Sequence, residues 1–157
     1  MQQKETAKQP DLTEVSGVPA TGRIVAIDPG TKRIGLAICD ELRVAIRPLP
    51  VIQRASWKKL LQQVQDVLAE YDAVALVVGL PYNFDGTESD MTAEARDMAR
   101  KFRLSLNIPV YLQDERASTY EARGRLWKAG LDETEVRKVL DSEAATLILS
   151  DFIDRLR

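Results

Sequence analysis

The stretch that decides the fold is IVAIDPGTK, residues 24–32. Its first four residues are all apolar, which is typical of a strand that is covered on both faces. The Pro-Gly-Thr sequence that follows is turn chemistry, so Asp28 is a carboxylate at the end of a buried strand. On a period of two, Asp28 shares a face with Ile24 and Ala26, which indicates that it points toward the interior.

The segments on either side of this stretch predict an α/β fold. They are, in chain order, strands over 33–39 and 44–52, a helix capped by Ser56, a strand over 73–78, a helix over about 89–107, a strand over 110–113, and further helical segments, the last from about Asp141 to Arg155. Three consecutive strands followed by two strand–helix crossovers indicate a mixed five-stranded sheet with helices on both faces.

Length and composition predict one folded domain of 23–157 behind a polar tail of 1–22. The chain has 157 residues, of which 45% are hydrophobic. Residues 1–22 are rich in Gln, Thr, Pro and Glu without periodicity, which predicts flexibility. No apolar run is long enough to span a membrane, and the first residues do not read as a signal peptide. We therefore expect a cytoplasmic protein without a membrane partner, and the single cysteine, Cys39, fits a reducing compartment.

The absence of histidine excludes several catalytic classes. With no histidine in the chain, Ser-His-Asp and Cys-His catalysis and His-ligated zinc sites are all ruled out. An enzyme of this composition would depend on carboxylates, lysine, tyrosine or a metal ion. The net charge of −2 argues against non-specific coating of DNA, but it leaves room for a local basic surface.

Acidic residues recur where the pattern turns them inward. Asp114 and Glu115 directly follow a strand, and Asp141 lies one turn ahead of the apolar stripe of the last helix. Together with Asp28 these acids come from three distant segments, and clustered carboxylates repel one another unless protons or cations intervene. Mg²⁺ or Mn²⁺ prefers such oxygen ligands, and a pair of these ions can hydrolyse phosphodiesters without histidine.

Each acid also has an ordinary structural interpretation. Asp28 could serve only as the first residue of an Asp-Pro-Gly turn, and Asp141 could cap the last helix. Glu115 could pair with Arg116 or with another arginine. The joint arrangement of the acids favours the metal site, while the individual alternatives stay open.

Four blocks of the sequence together form a recognisable pattern: AIDPGTKRIGLA (26–37), VVGLP (77–81) with Asp85 and Gly86, DER (114–116) and DSEAA (141–145). These blocks resemble the YqgF family, also called RuvX, which comprises Holliday-junction-resolvase-like proteins. They occur in the family's order and span about 130 residues. One departure is the sequence Ala-Ser-Thr at 117–119, where the family usually has Leu followed by two hydroxyl residues.

The resemblance implies a ribonuclease H-like fold and a carboxylate site. Its members would be Asp28, Glu115 with Asp114 as the rival, and Asp141. It further implies a metal-dependent nuclease that processes the ends of the 16S ribosomal RNA precursor, and a Holliday-junction resolvase is the alternative. The tail of 1–22 lies outside the resemblance.

Six basic residues are candidates for nucleic-acid contact. Lys32 and Arg33 follow Asp28 in the turn, where they can meet a phosphate. The others are Arg96, Arg100 and Arg103, which recur on one face of a helix, and Arg116 beside Glu115. A solvated helix face and a solvated hairpin tip are the plain alternatives.

Two further functions remain open on the sequence alone. The loop Asp-Pro-Gly-Thr-x-x-x-Gly at 28–35 also resembles the first phosphate loop of actin-like ATPases, but the chain has only one lobe's worth of residues. A non-catalytic RNA-binding factor of ribosome assembly would keep the same fold. The sequence is compatible with a monomer or a homodimer.

Overall fold

The computed structural model describes residues 14–83, 85–115 and 124–157, and within the last range only the backbone of 137–142. The elements are β1 (Ile24–Pro29), β2 (Arg33–Cys39), β3 (Ile46–Gln53), α1 (Trp57–Glu70), β4 (Ala75–Leu80), α2 (Asp90–Ser105), β5 (Val110–Asp114) and α3 (Glu133–Arg155). A short helical segment covers 124–128. None of the described helices is long and apolar enough to cross a membrane.

The five strands form one mixed sheet in the order β3-β2-β1-β4-β5. The first three strands are antiparallel neighbours, and β4 and β5 add to β1 in parallel. Parallel pairing puts the carboxyl ends of β1, β4 and β5 at one edge of the sheet. The sequence prediction of a mixed five-stranded α/β sheet is therefore confirmed, and the carboxyl ends of β1 and β5 carry the acids singled out above.

Helices cover both faces of this sheet, as predicted. One face of the sheet packs on α1 and α2 through residues such as Val64 and Phe102. The other face packs on α3, and there Ile24 and Ala26 of β1 contact the cluster that contains Ile148. Because alternate residues of a strand share a face, Asp28 lies on the α3 side of the sheet.

Local hydrogen bonds explain where several elements begin. Ser56 caps α1, and its side chain accepts a hydrogen bond from the Lys59 amide at 3.3 Å. Ser89 and Thr92 form a capping box at the start of α2, in which the side chain of each residue accepts a hydrogen bond from the backbone amide of the other. Strand β3 begins at Ile46, two residues later than predicted, since the Asp40 carboxylate holds the preceding amides in a turn.

The last helix begins earlier than the sequence analysis predicted. We expected it to open at Asp141, but α3 starts at Glu133, where Asp132 and Glu135 form a capping box. Asp141 therefore lies well inside the helix, and its predicted place as the opening or capping residue is wrong. The apolar stripe that follows Asp141 is confirmed, since Ala145 and Ile148 are buried against the sheet.

Residues 14–22 form no helix or strand, but they contact the body of the protein. Val15 and Val18 pack against the cluster on the α3 face. The Tyr111 hydroxyl donates a hydrogen bond to the Ser16 carbonyl at 2.8 Å. The division between tail and domain at residues 22 and 23 stays a prediction, and these contacts show that the chain already lies on the sheet before it.

Candidate active site

Asp28 lies near the end of β1, directly opposite Gly35 of β2. A Cβ atom at Gly35 would lie 3.5 Å from the Asp28 Cβ and 3.7 Å from the Ala145 Cβ. The glycine therefore leaves room for the Asp28 side chain between the sheet and α3. The predicted inward placement of this carboxylate agrees with the position of its backbone.

Glu115 immediately follows β5, and its backbone amide donates to the Leu80 carbonyl at 3.3 Å. Alternation along the strand puts Glu115 on the same face as Gln113, whose side chain accepts a hydrogen bond from Arg155 of α3 at 2.8 Å. Asp114 belongs to the opposite face. The two adjacent acids that the sequence left as rivals thus point to different sides of the sheet.

The Glu115 carboxyl group meets the Asp28 carboxylate. The pKa of Glu115 is raised from 4.5 to about 8, mainly by burial and in addition by the Asp28 charge, a hydrogen bond to Asp28 and the charge of Asp114. A proton held by Glu115 donates to the Asp28 side chain, so the pair shares one proton where two free carboxylates would repel. The structure therefore brings Glu115 next to Asp28, as expected of one site.

The third predicted acid, Asp141, is placed only through its backbone. Asp141 lies in α3, four residues or about one helical turn before Ala145. Ala145 is the residue of α3 that lies near Gly35. Its side chain lies outside the described residues. Within the described parts of the chain, no three His, Cys, Asp or Glu residues come together to form a metal-binding group.

A cleft of about 770 Å³ opens over the two acids. The lining residues are Asp28, Pro29, Gly30, Thr31, Lys32, Arg33, Gly35, Val51, Met91 and Glu115. Lys32 and Arg33 therefore line the same cleft as the carboxylates, and their predicted contact with a phosphate stays a prediction. Two apolar members, Val51 and Met91, were not singled out from the sequence, since a pattern of apolar residues does not reveal which of them stay exposed.

Arg54 fixes the loop that forms one wall of this cleft. Its backbone amide donates to the Lys32 carbonyl at 2.9 Å, and its guanidinium donates to the Gly30 carbonyl at 3.0 Å. The same guanidinium forms a salt bridge with Glu94 of α2 at 2.9 Å. The turn after Asp28 is thus connected to α2 through the Arg54 side chain.

Comparisons with known proteins show the family of this chain. The family model described as RuvX, Holliday junction resolvase, matches residues 22–155. The chain belongs to this family. A relative from Anaeromyxobacter sp. (strain K) is 39% identical over 133 residues, which cover 85% of this chain and 97% of that protein. A relative from Klebsiella pneumoniae subsp. pneumoniae is 35% identical over 135 residues, covering 86% and 98%. Both relatives bear the name "Putative pre-16S rRNA nuclease".

A solved structure shares the fold of this RuvX-family chain. T. thermophilus RuvC, in complex with a Holliday junction substrate, matches with a TM-score of 0.51 and 19% sequence identity. The match covers 86% of this chain and 96% of that one. The ribonuclease H-like fold that the sequence resemblance implied is therefore confirmed.

The predicted basic stripe of the RuvX-family chain lies on α2, and its three arginines bind partners within the chain. The contacts are Arg96 to Glu88 (2.6 Å) and to the Tyr82 hydroxyl (2.7 Å), Arg100 to Asp97 (2.7 Å) and Arg103 to the Val110 carbonyl (3.1 Å). Burial lowers the pKa of Arg103. These arginines do not line the cleft over the acids, and contact with nucleic acid stays a prediction for them. Arg116 and residues 117–119 lie outside the described residues.

Gly79 gives the site its room, and we expect Gly79→Ala to destabilise the protein. A Cβ there would lie 2.5 Å from the Ile148 Cδ1 and 3.0 Å from the Glu115 Oε2, so the buried Ile148 side chain and the partly buried Glu115 side chain would have to move. Overpacking of this kind costs about 1–3 kcal/mol of the free energy of unfolding, measured by urea denaturation. Gly124→Ala is the matched control, because among the described residues no atom from outside its own chain neighbourhood lies within 4 Å of a Cβ at that position. Equal stability of the two variants would contradict the crowding at Gly79.

Proposed function

We propose that this RuvX-family chain is a metal-dependent nuclease whose acid set is Asp28, Glu115 and Asp141. The observation that carries the proposal is the meeting of Asp28 and Glu115 beneath a cleft with a basic rim. The names of the relatives, which describe nucleases, support the same reaction class. Asp114 is the weaker candidate for the set, because alternation along β5 turns it to the other face of the sheet.

The residues of the site fit a hard divalent cation. Glu115 and Asp28 offer carboxylate oxygens that stand close enough to share a proton, and a cation can take the place of that proton. Mg²⁺ or Mn²⁺ is the expected ion, with Asp141 as the third acid. When bound, such ions activate water for attack on a phosphodiester and stabilise the leaving oxygen.

The other polar residues of the cleft serve the phosphate backbone. Lys32 and Arg33 are exposed at the rim and carry charge that attracts a phosphate toward the acids. Arg54 orients the loop that presents them. Contacts of this kind position a strand without reading its bases, so they fix the site of cleavage relative to the backbone and not the sequence.

The substrate we propose is the precursor of 16S ribosomal RNA in the cytoplasm, cleaved near its ends. The names of the relatives from Anaeromyxobacter, Syntrophus and Klebsiella support RNA. The description of the family model favours a second candidate, a four-way DNA junction. Both substrates present the same phosphodiester chemistry to the acids.

The test compares the two substrates with the same protein. Purified chain is incubated with a precursor RNA that carries the unprocessed 16S ends, and separately with a four-way DNA junction, in Mg²⁺, in Mn²⁺ and in EDTA. We expect RNA cleavage that requires the metal. Cleavage of the junction alone would favour the resolvase reaction, and RNA binding without cleavage in either metal would leave a non-catalytic assembly factor.

A further inference from the structure

The lining of the cleft over the acids includes two exposed apolar side chains, Val51 of β3 and Met91 of α2, which we call its apolar wall. Val51 is 48% exposed and Met91 is 43% exposed. A cleft that bound only phosphates would need basic and polar side chains, whereas exposed apolar area favours contact with an apolar or aromatic surface. The apolar wall therefore favours a ligand that carries an apolar or aromatic surface beside its phosphate.

A bulge in β3 places Val51 beside the acids. The pairs Ile34 with Ile52 and Leu36 with Leu49 flank an irregularity, in which two residues of β3 stand opposite one residue of β2. That one residue is Gly35, which in turn pairs with Asp28. Bulges re-aim side chains next to functional sites, and here the bulge turns Val51 toward the cleft while its neighbour Ile52 stays buried.

Met91 extends the buried stripe of α2 beyond the core. Ala95 and Met98 of that stripe are buried against the sheet, and Met91 lies one turn earlier at the start of the helix. The side chain therefore continues the apolar face of α2 into the cleft. A methionine in such a place adapts its shape to a flat partner, and its sulfur contacts aromatic rings favourably.

We propose that Val51 and Met91 receive the nucleobase next to the phosphodiester that is cleaved. The inference rests on the proposed nuclease function and names the form of its substrate, a strand whose base is unpaired and turned toward the protein. The basic rim of Lys32 and Arg33 holds the phosphate, and the apolar wall in the same cleft holds the base of the same nucleotide unit. A paired base in a duplex is stacked between its neighbours and cannot give its face to this wall.

The test measures binding, so that it does not depend on cleavage. Fluorescence anisotropy at low salt in EDTA compares a short single-stranded RNA with an abasic ribose-phosphate strand of the same length and charge. We expect the wild-type chain to bind the RNA at least about tenfold more tightly, since contact with a base face is worth that much. Met91→Ala combined with Val51→Ser should bind the two strands equally, and Met91→Leu alone should keep the preference.

Leu104→Ser is the matched control, because Leu104 is 73% exposed on the same helix and does not line the cleft. It should keep the full preference for the RNA. Equal binding of both strands by the wild-type chain, or no binding of either, overturns the inference. A failure to cleave RNA with metal, while the base preference persists, counts against the proposed nuclease and leaves the base contact standing.

Discussion

Asp28→Asn is expected to lower the rate of RNA cleavage in Mg²⁺ or Mn²⁺ by at least about a thousandfold, because the change removes a charged oxygen that the site needs for its cation. The substitution keeps the size of the side chain, so it fits the space that Gly35 leaves beside Asp28. Asn also relieves the charge that Glu115 faces. The variant should therefore fold at least as well as the wild type without metal, and only its cleavage should be lost.

Asp66→Asn is the control for this experiment. Asp66 is exposed on α1, where it accepts a hydrogen bond from Gln62, and it does not line the cleft. We expect its cleavage rate to match the wild type within about twofold, as is usual for exposed sites. Cleavage by Asp28→Asn at the wild-type rate would show that the activity came from a contaminant or from another site.

The sheet could be predicted from the sequence because its signals are local. The apolar run of 24–27 and the apolar run of β4 are continuous, as expected of strands covered on both faces. The order of strands and helices then restricts the topology to a few choices. The boundaries of β3 were less accurate, since they depend on a turn that Asp40 stabilises with its side chain.

The start of α3 is marked in the sequence by a capping-box signal that the sequence analysis did not use. The sequence Asp-Glu-Thr-Glu at 132–135 is itself a capping-box signal, and the helix begins there. The sequence analysis gave Asp141 that place because the strong apolar stripe follows it. A stripe marks the buried face of a helix and not its first residue, so the position of Asp141 within α3 had to come from the structure.

The choice between Asp114 and Glu115 could not be made from their positions in the sequence alone. The two residues are adjacent, and a shift of one residue in β5 would exchange their faces. The register of β5 against β4 puts Asp114 on the α1 and α2 face together with Leu80, and it therefore puts Glu115 on the face that carries Asp28. Gly79 contributes as well, because the space above it is where the Glu115 carboxyl group lies.

Glu115→Gln is expected to remove a pH dependence of stability that the wild-type protein shows without metal. The pKa of Glu115 lies near 8 in the folded protein and near 4.5 otherwise, so between these values the folded protein holds a proton that the unfolded chain releases. Rising pH then favours unfolding. In EDTA, the free energy of unfolding of the wild type should fall by on the order of 3 kcal/mol from pH 5 to pH 9, allowing for residual solvent in the cleft.

The chain offers an unusually clear window for this measurement because it contains no histidine. Between pH 5 and pH 8, few groups other than a perturbed carboxyl change their charge. Burial raises the pKa of the Cys39 thiol, so that group titrates above the window. Urea denaturation at a series of pH values therefore reports mainly on the pair formed by Glu115 and Asp28, and Glu70→Gln, on the exposed end of α1, should keep the wild-type slope.

A metal ion and a proton compete for the carboxylate oxygens of Asp28 and Glu115, so the stabilisation by metal should depend on pH. If a cation replaces the shared proton, Mg²⁺ or Mn²⁺ should stabilise the wild type more at pH 8 than at pH 5, because fewer protons have to be displaced at the higher pH. Glu115→Gln should lose most of that stabilisation, since its amide binds the cation weakly and holds no exchangeable carboxyl proton. If the stability of the wild-type protein rose with pH in EDTA, Glu115 would be ionised beside Asp28. That result would contradict the inference that the two acids share a proton.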